Sequence, residues 1–192
     1  MKKSLLFAFA LSVILFSCGG KTEENLEEHT MDHASGDASA ASTSAGVSSA
    51  ASSPIIDSYL AVKDALVSDN ASEAASKSQT LVSALKSFDI SRTEAEDSEE
   101  LERLQVEATA FAEKLATEDI IAQRESFQAL SVTLKDFLKI AGTDRTLYHQ
   151  YCPMYKNNTG GMWLSANEDI KNPLFGSSML TCGRVEETIS MK

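Results

Sequence analysis

Cys152, Met154, Met179 and Cys182 are the residues of this chain whose types and spacing point most directly to chemistry. Pro153 biases the residue before it toward an extended conformation, and in an extended chain positions two apart face the same side. The sulfurs of Cys152 and Met154 can therefore converge. Met179 and Cys182 are three apart, so one helical or turn-like winding puts both on one face. Between the pairs, Gly160-Gly161, Asn172-Pro173 and Gly176 are turn signals able to fold the segment back on itself. Two thiolates with two thioethers suit a soft ion, Cu(I) or Ag(I), better than a hard one. Zinc sites use Cys and His without Met, and the spacing is neither a zinc knuckle nor a thioredoxin-type pair. His149 is a further candidate, as an outer ligand, although a lone histidine near a bundle end also serves for surface or packing.

The competing chemistry is covalent. A Cys152 to Cys182 disulfide would close a loop of about thirty residues, worth roughly 3 to 4 kcal/mol in the chain-entropy model. Two cysteines in an exported domain usually pair, so residue chemistry by itself favours the disulfide, with the methionines as packing. A second pointer to metal lies upstream. His29, Met31 and His33 follow Glu23, Glu24, Glu27 and Glu28, and two imidazoles with a thioether could capture copper. A solvated acidic tether explains the same residues equally well.

Export is expected from the N-terminus. Lys2 and Lys3 precede an apolar run from Leu5 to Phe16, too short for the roughly 20 residues that a membrane-spanning helix needs. Leu15-Phe16-Ser17-Cys18 resembles a lipobox, with Phe16 bulkier than the usual occupant. Residues 1–17 therefore read as a lipoprotein signal peptide, and Cys18 as the lipidated residue that anchors the chain to a membrane. Removing them takes away Lys2 and Lys3 alone, so 17 basic against 28 acidic residues becomes 15 against 28, a formal charge of −13. Such a surface repels phosphates, so nucleic acid is not expected as a partner. Residues 18–53, almost entirely Ala, Ser, Gly and Thr from Ala34 onward, read as a disordered tether. The expected location is the cell envelope, with the domain facing the periplasm or the cell surface.

The candidate ligands need a scaffold, and residues 54–142 supply a helical pattern. Pro54 suits a first turn, with Ile55, Ile56, Tyr59, Val62, Leu66 and Val67 on one face. A second helix follows Asp69 or Asn70 and carries Ala74, Ser78, Leu81, Val82, Leu85 and Phe88. A third carries Leu101, Leu104, Ala108, Phe111 and Leu115 at spacings of three and four. Thr117 is the expected N-cap of a fourth, with Ile120, Ile121, Phe127, Leu130, Leu134, Phe137 and Leu138 on its stripe and Gly142 as a left-handed stop. Arg124, near that stripe, reads as snorkelling to the rim. The expected fold is all-α, an antiparallel up-down four-helix bundle over 54–192, with an irregular Cys- and Met-bearing tail from 143 packed on it. Tyr148, Tyr151, Trp163 and Phe175 would dock that tail. No Ser-His-Asp grouping or phosphate loop is present, so an enzyme is not expected.

The tail residues carry a resemblance. Tyr148-His149-Gln150-Tyr151-Cys152-Pro153-Met154, Trp163-Leu164-Ser165, Ile170, Asn172-Pro173, Phe175-Gly176 and Met179-Leu180-Thr181-Cys182-Gly183 are similar to an uncharacterised helical domain. That domain occurs in Bacteroidetes lipoproteins and at the C-termini of periplasmic adaptor proteins of copper and silver efflux systems. The resemblance spans about 140 residues, specific in the tail and loose in the helices. Leu174 stands where the pattern more often has an aromatic residue. The resemblance implies copper handling in the envelope, Cu(I) as the bound ion, Cys152, Met154, Met179 and Cys182 as matching ligands, and a heavy-metal efflux adaptor as a partner.

Overall fold

Pro54 sits in the first turn of helix α1 (Ser53–Val67), where its fixed φ is pre-set for the helix and its missing N–H costs nothing. The computed structural model of the chain describes residues 49–92 and 95–191. Residues 1–17, Cys18, the tether as far as residue 48, and with it His29, Met31 and His33, lie outside the described residues. The described residues begin at 49, before the expected boundary at 54. Ser52 is buried and its hydroxyl donates to the carbonyl of Gly142 at 2.9 Å.

After α1 the chain turns through Asp69, at φ 56°. Asn70 then caps helix α2 (Ala71–Lys86), its side-chain oxygen accepting the Glu73 N–H at 3.0 Å. Helix α3 (Ala95–Glu113) begins with Glu96 and Asp97, which favour the positive end of the helix dipole. Helix α4 (Ile120–Ala141) is capped by Asp119, not Thr117. The Asp119 carboxylate accepts from Ile121 and Ala122 at 2.9 and 3.3 Å, whereas Thr117 only receives the Asp119 N–H. That start turns Gln123, Phe127, Leu130, Leu134 and Phe137 inward and leaves Ile121 69% exposed, against its assignment to the apolar stripe. Gly142 closes α4 at φ 82° and ψ 167°, so its positive φ serves an exit into extended chain more than a left-handed turn.

Three cross-links give the direction of α4 relative to α1. Ser52 bonds Gly142, Tyr59 bonds Ser131, and Arg124 bonds the Leu66 carbonyl, so the two helices run oppositely. Gln105 donates to Leu85 and Phe88, while Gln123 joins Ala71 to Leu115, so α2 and α3 are also antiparallel. The helices enclose one core in which Tyr59 stacks on Phe127 at 4.9 Å and Phe88 meets Phe137 edge-on. No described helix is long and apolar enough to cross a membrane.

The C-terminal segment is not irregular, and the fold is therefore not all-α. Strands β1 (Leu147–Cys152), β2 (Gly161–Ser165) and β3 (Arg184–Ile189) form an antiparallel sheet in the order β2-β1-β3. The aromatic residues of β1 and the apolar run Met162-Trp163-Leu164 fit a pleated, buried surface as well as they fit a docking core. Burial of every residue of β2 follows from its position between helix α4 and the chain that covers its other face. The sheet is fastened to the bundle by the Leu164 N–H, which donates to the Tyr59 phenol at 3.0 Å.

Candidate metal centre

The pairing of β1 with β2 decides which candidate ligands can meet. Gln150 lies opposite Trp163 and Cys152 opposite Gly161, while His149 lies opposite Leu164. Alternation along β1 puts Gln150 and Cys152 on one face and His149 on the other. His149 Nδ1 lies 3.7 Å from Glu187, and Lys135 of α4 is close enough to act on its charge. Burial, then Lys135, holds the imidazole below its ordinary range despite Glu187 and Glu186. His149 is thus separated from the cysteines by the plane of the sheet and is not one of their partners.

On the other face, chain from 166 to 183 wraps over Trp163. Gln150 accepts the Trp163 indole N–H at 2.7 Å and donates to the carbonyls of Asn167, Glu168 and Asp169. Asn172, fully buried, closes the neck of the loop that follows. Its N–H donates to the Leu180 carbonyl at 2.8 Å and its side-chain amide to the Cys182 carbonyl at 2.8 Å. The side-chain oxygen receives the N–H groups of Leu174 and Phe175. One of these contacts reaches Cys182 directly and the others fix the loop that carries it, whereas the residue pattern at Asn172-Pro173 marks a turn.

Cys152 is fully buried and Cys182 partly so, and neither is in a disulfide. β1 pairs Tyr151 with Arg184, and Gly183 passes against the Tyr151 main chain, so Cys182 is set beside Cys152 at the end of that strand, close enough for Cys152 and the Met154 N–H to act on the Cys182 thiol. Burial, then the hydrogen bond and charge of Cys152, push the Cys182 thiol up to about 11, with the Met154 N–H opposing them. Met154 itself has left the strand. It adopts helical angles, is 50% exposed, and leads into the turn Tyr155–Asn158, where Lys156, Asn157 and Asn158 all have positive φ. Met179 ends the 3-10 turn Gly176–Met179 and its carbonyl accepts the Cys182 N–H at 3.0 Å. Both methionines therefore adjoin Cys182 through main-chain contacts.

Among the described residues no group of three or more His, Cys, Asp or Glu side chains converges as a metal cage. What converges is a pair of soft donors, two unbonded thiols, with the main chains of Met154 and Met179 beside Cys182. That donor set fits a soft monovalent ion, which needs few ligands and accepts thioethers, and does not fit zinc or calcium.

Residues 55–146 match the family model described as protein of unknown function (DUF3347). The match covers the four helices and stops one residue before β1, so both cysteines lie outside it. No curated protein and no solved structure gives a significant match.

Proposed function

We propose that this protein is an envelope lipoprotein that binds Cu(I) through Cys152 and Cys182, with Met154 and Met179 as thioether ligands, and serves copper homeostasis or delivery to efflux. The observation that carries the reading is the thiol contact. Two cysteines thirty positions apart in the chain are brought side by side, without a bond between them, by the pairing of β1 with β3. A thiol pair held this way would exchange its protons for a soft cation. The role of the bundle is to hold the sheet. Anchoring by lipid at Cys18, the second copper-binding segment at His29, Met31 and His33, and an efflux adaptor as recipient belong to the same proposal. A net charge of −11 over the chain suits cationic cargo and a non-nucleic-acid partner.

The same contact favours a second reading, a structural or interaction lipoprotein stapled by a Cys152 to Cys182 disulfide. Free-thiol count and metal content, measured on one anaerobically purified sample, separate the two. Two titratable thiols in the apoprotein, masked by about one copper per chain after loading, are the expected result. A fixed bridge that excludes copper would replace the first reading with the second.

A further inference from the structure

The loop that presents Met179 and Cys182 is pinned at two places. Asn172 closes its neck, as described above. Its far end rests on the bundle through residues distant in sequence from either cysteine. The Arg124 guanidinium donates to the Pro173 carbonyl at 3.1 Å and to the Leu66 carbonyl at 3.3 Å, and pairs with the Asp69 carboxylate. The other Asp69 oxygen accepts the Ser177 N–H at 3.1 Å. Gly176, at φ 59°, passes so close that a Cβ there would run into both Asp69 and Arg124. Arg124 is nearly buried, with 15% of its side chain exposed, and Asp69 sits at the α1–α2 corner.

We propose that Arg124 and Asp69 form a positioning latch for the sulfur site: they hold the Asn172–Cys182 loop against the bundle so that Cys182 and Met179 stay set against Cys152 and Met154. The inference rests on the reading of the two cysteines as the working pair. A loop fixed at both ends has little conformational freedom to lose when its thiol is used. Released at one end, it must be reordered at each binding event, and the apparent affinity falls by the fraction of time the site is assembled. Hydrogen bonds to charged groups are strong enough that losing the latch should cost on the order of tenfold in that fraction. The sheet and the four helices do not depend on it, because Tyr59, Gln123 and Gln150 fasten them independently.

The test approaches the latch from both sides, with Arg124→Ala on the bundle and Gly176→Ala on the loop. The first readout needs no metal: the equilibrium of the Cys152–Cys182 pair with a glutathione buffer, which gives the effective concentration of one thiol at the other. The second is Cu(I) affinity in competition with a chromophoric chelator. Leu104→Ala, which removes core packing in α3 far from the loop, is the control for general destabilisation. Both latch variants should lower the effective concentration on the order of tenfold, and Cu(I) affinity with it. Leu104→Ala should leave both within about twofold, since it changes stability and not native geometry. Arg124→Lys should recover only part of the loss, because an ammonium cannot bridge Pro173, Leu66 and Asp69 together. An unchanged effective concentration in Arg124→Ala and Gly176→Ala, or an equal fall in Leu104→Ala, overturns the latch. A fall confined to the latch variants in a protein that binds no Cu(I) would sustain the latch and reject the copper reading.

Discussion

Tyr59→Phe removes one oxygen from the seam between bundle and sheet, and the structure gives the cost. Ser131 has one hydroxyl proton, and donates it to the Phe127 carbonyl at 2.7 Å. The Tyr59 phenol, 2.6 Å from that hydroxyl, must then donate to it, leaving its own oxygen to accept the Leu164 N–H at 3.0 Å. Burial pushes the phenol well above the ordinary tyrosine range, so this arrangement persists at any ordinary pH. Without the oxygen, a buried N–H of β2 has no acceptor, while Ser131 keeps its bond to Phe127. The penalty is that of one unsatisfied buried donor, about 2 kcal/mol, with little cavity added. Ser131→Ala should cost a similar amount, because the phenol still accepts from Leu164 but its own buried proton then has no acceptor. Urea unfolding followed in parallel by far-UV circular dichroism and by fluorescence of Trp163, the single tryptophan, reads helices and sheet separately. Both transitions should move together by the same amount. A loss below about 0.5 kcal/mol, or a shift seen in fluorescence alone, would refute the assignment of Tyr59 as the fastening of sheet to bundle.

Lys156 has φ 45° and ψ 63°, a left-handed conformation that costs a non-glycine residue about 1 kcal/mol, while its ion pair with Glu125 is exposed and worth little. Lys156→Gly should raise the urea midpoint and Lys156→Ala should not; equal effects would show that backbone strain is not the cause. His149 is held below its ordinary pKa of 6.5 by burial and Lys135, so the unfolded chain binds the proton more readily. Its contribution to stability is present above that value and declines as pH falls through 6.5 toward the depressed folded value, and His149→Gln should flatten the midpoint-against-pH curve between about pH 7 and 5. An unchanged slope would remove His149 as the origin. For Asp69 the direction is likewise downward, through Ser177 and then Arg124, so the latch holds above the ordinary carboxylate value of 3.8 and weakens as pH falls through the depressed one. Nuclear magnetic resonance titration of the Ser177 amide should show loosening only in that acidic window.

The helices were legible because each carries a long apolar stripe with its own punctuation. Pro54, Asn70 and Gly142 mark ends that the structure keeps, and the buried faces of α1 and α2 fall where their spacing puts them. Thr117 was mistaken for a cap because Ser, Thr and Asp compete at such sites, and the stronger acceptor two residues on decided the face, turning Ile121 out and Gln123 in. The sheet was missed for a different reason. Its strands are short, β3 is exposed along nearly its whole length, and β2 is buried on both faces, so neither shows the alternation that marks a strand. The meeting of Cys152 with Cys182 was conceivable from turn signals, but its cause, the amide of Asn172, acts through main-chain carbonyls that no residue pattern reveals. Arg124 read as a rim residue because its partners, Asp69 and Pro173, lie 55 residues before it and 49 after it in the chain.

Binding of Cu(I) by the two cysteines with Met154 and Met179 is the proposal on which the rest depends. Competition titration of the fully reduced protein against a chromophoric Cu(I) chelator, repeated on Cys152→Ser and Met179→Leu, tests it most directly. Cu(I) should bind tightly, at about one ion per chain, with binding abolished in Cys152→Ser and weakened in Met179→Leu. Binding no stronger than that of the unfolded chain, or binding indifferent to both substitutions, would contradict it.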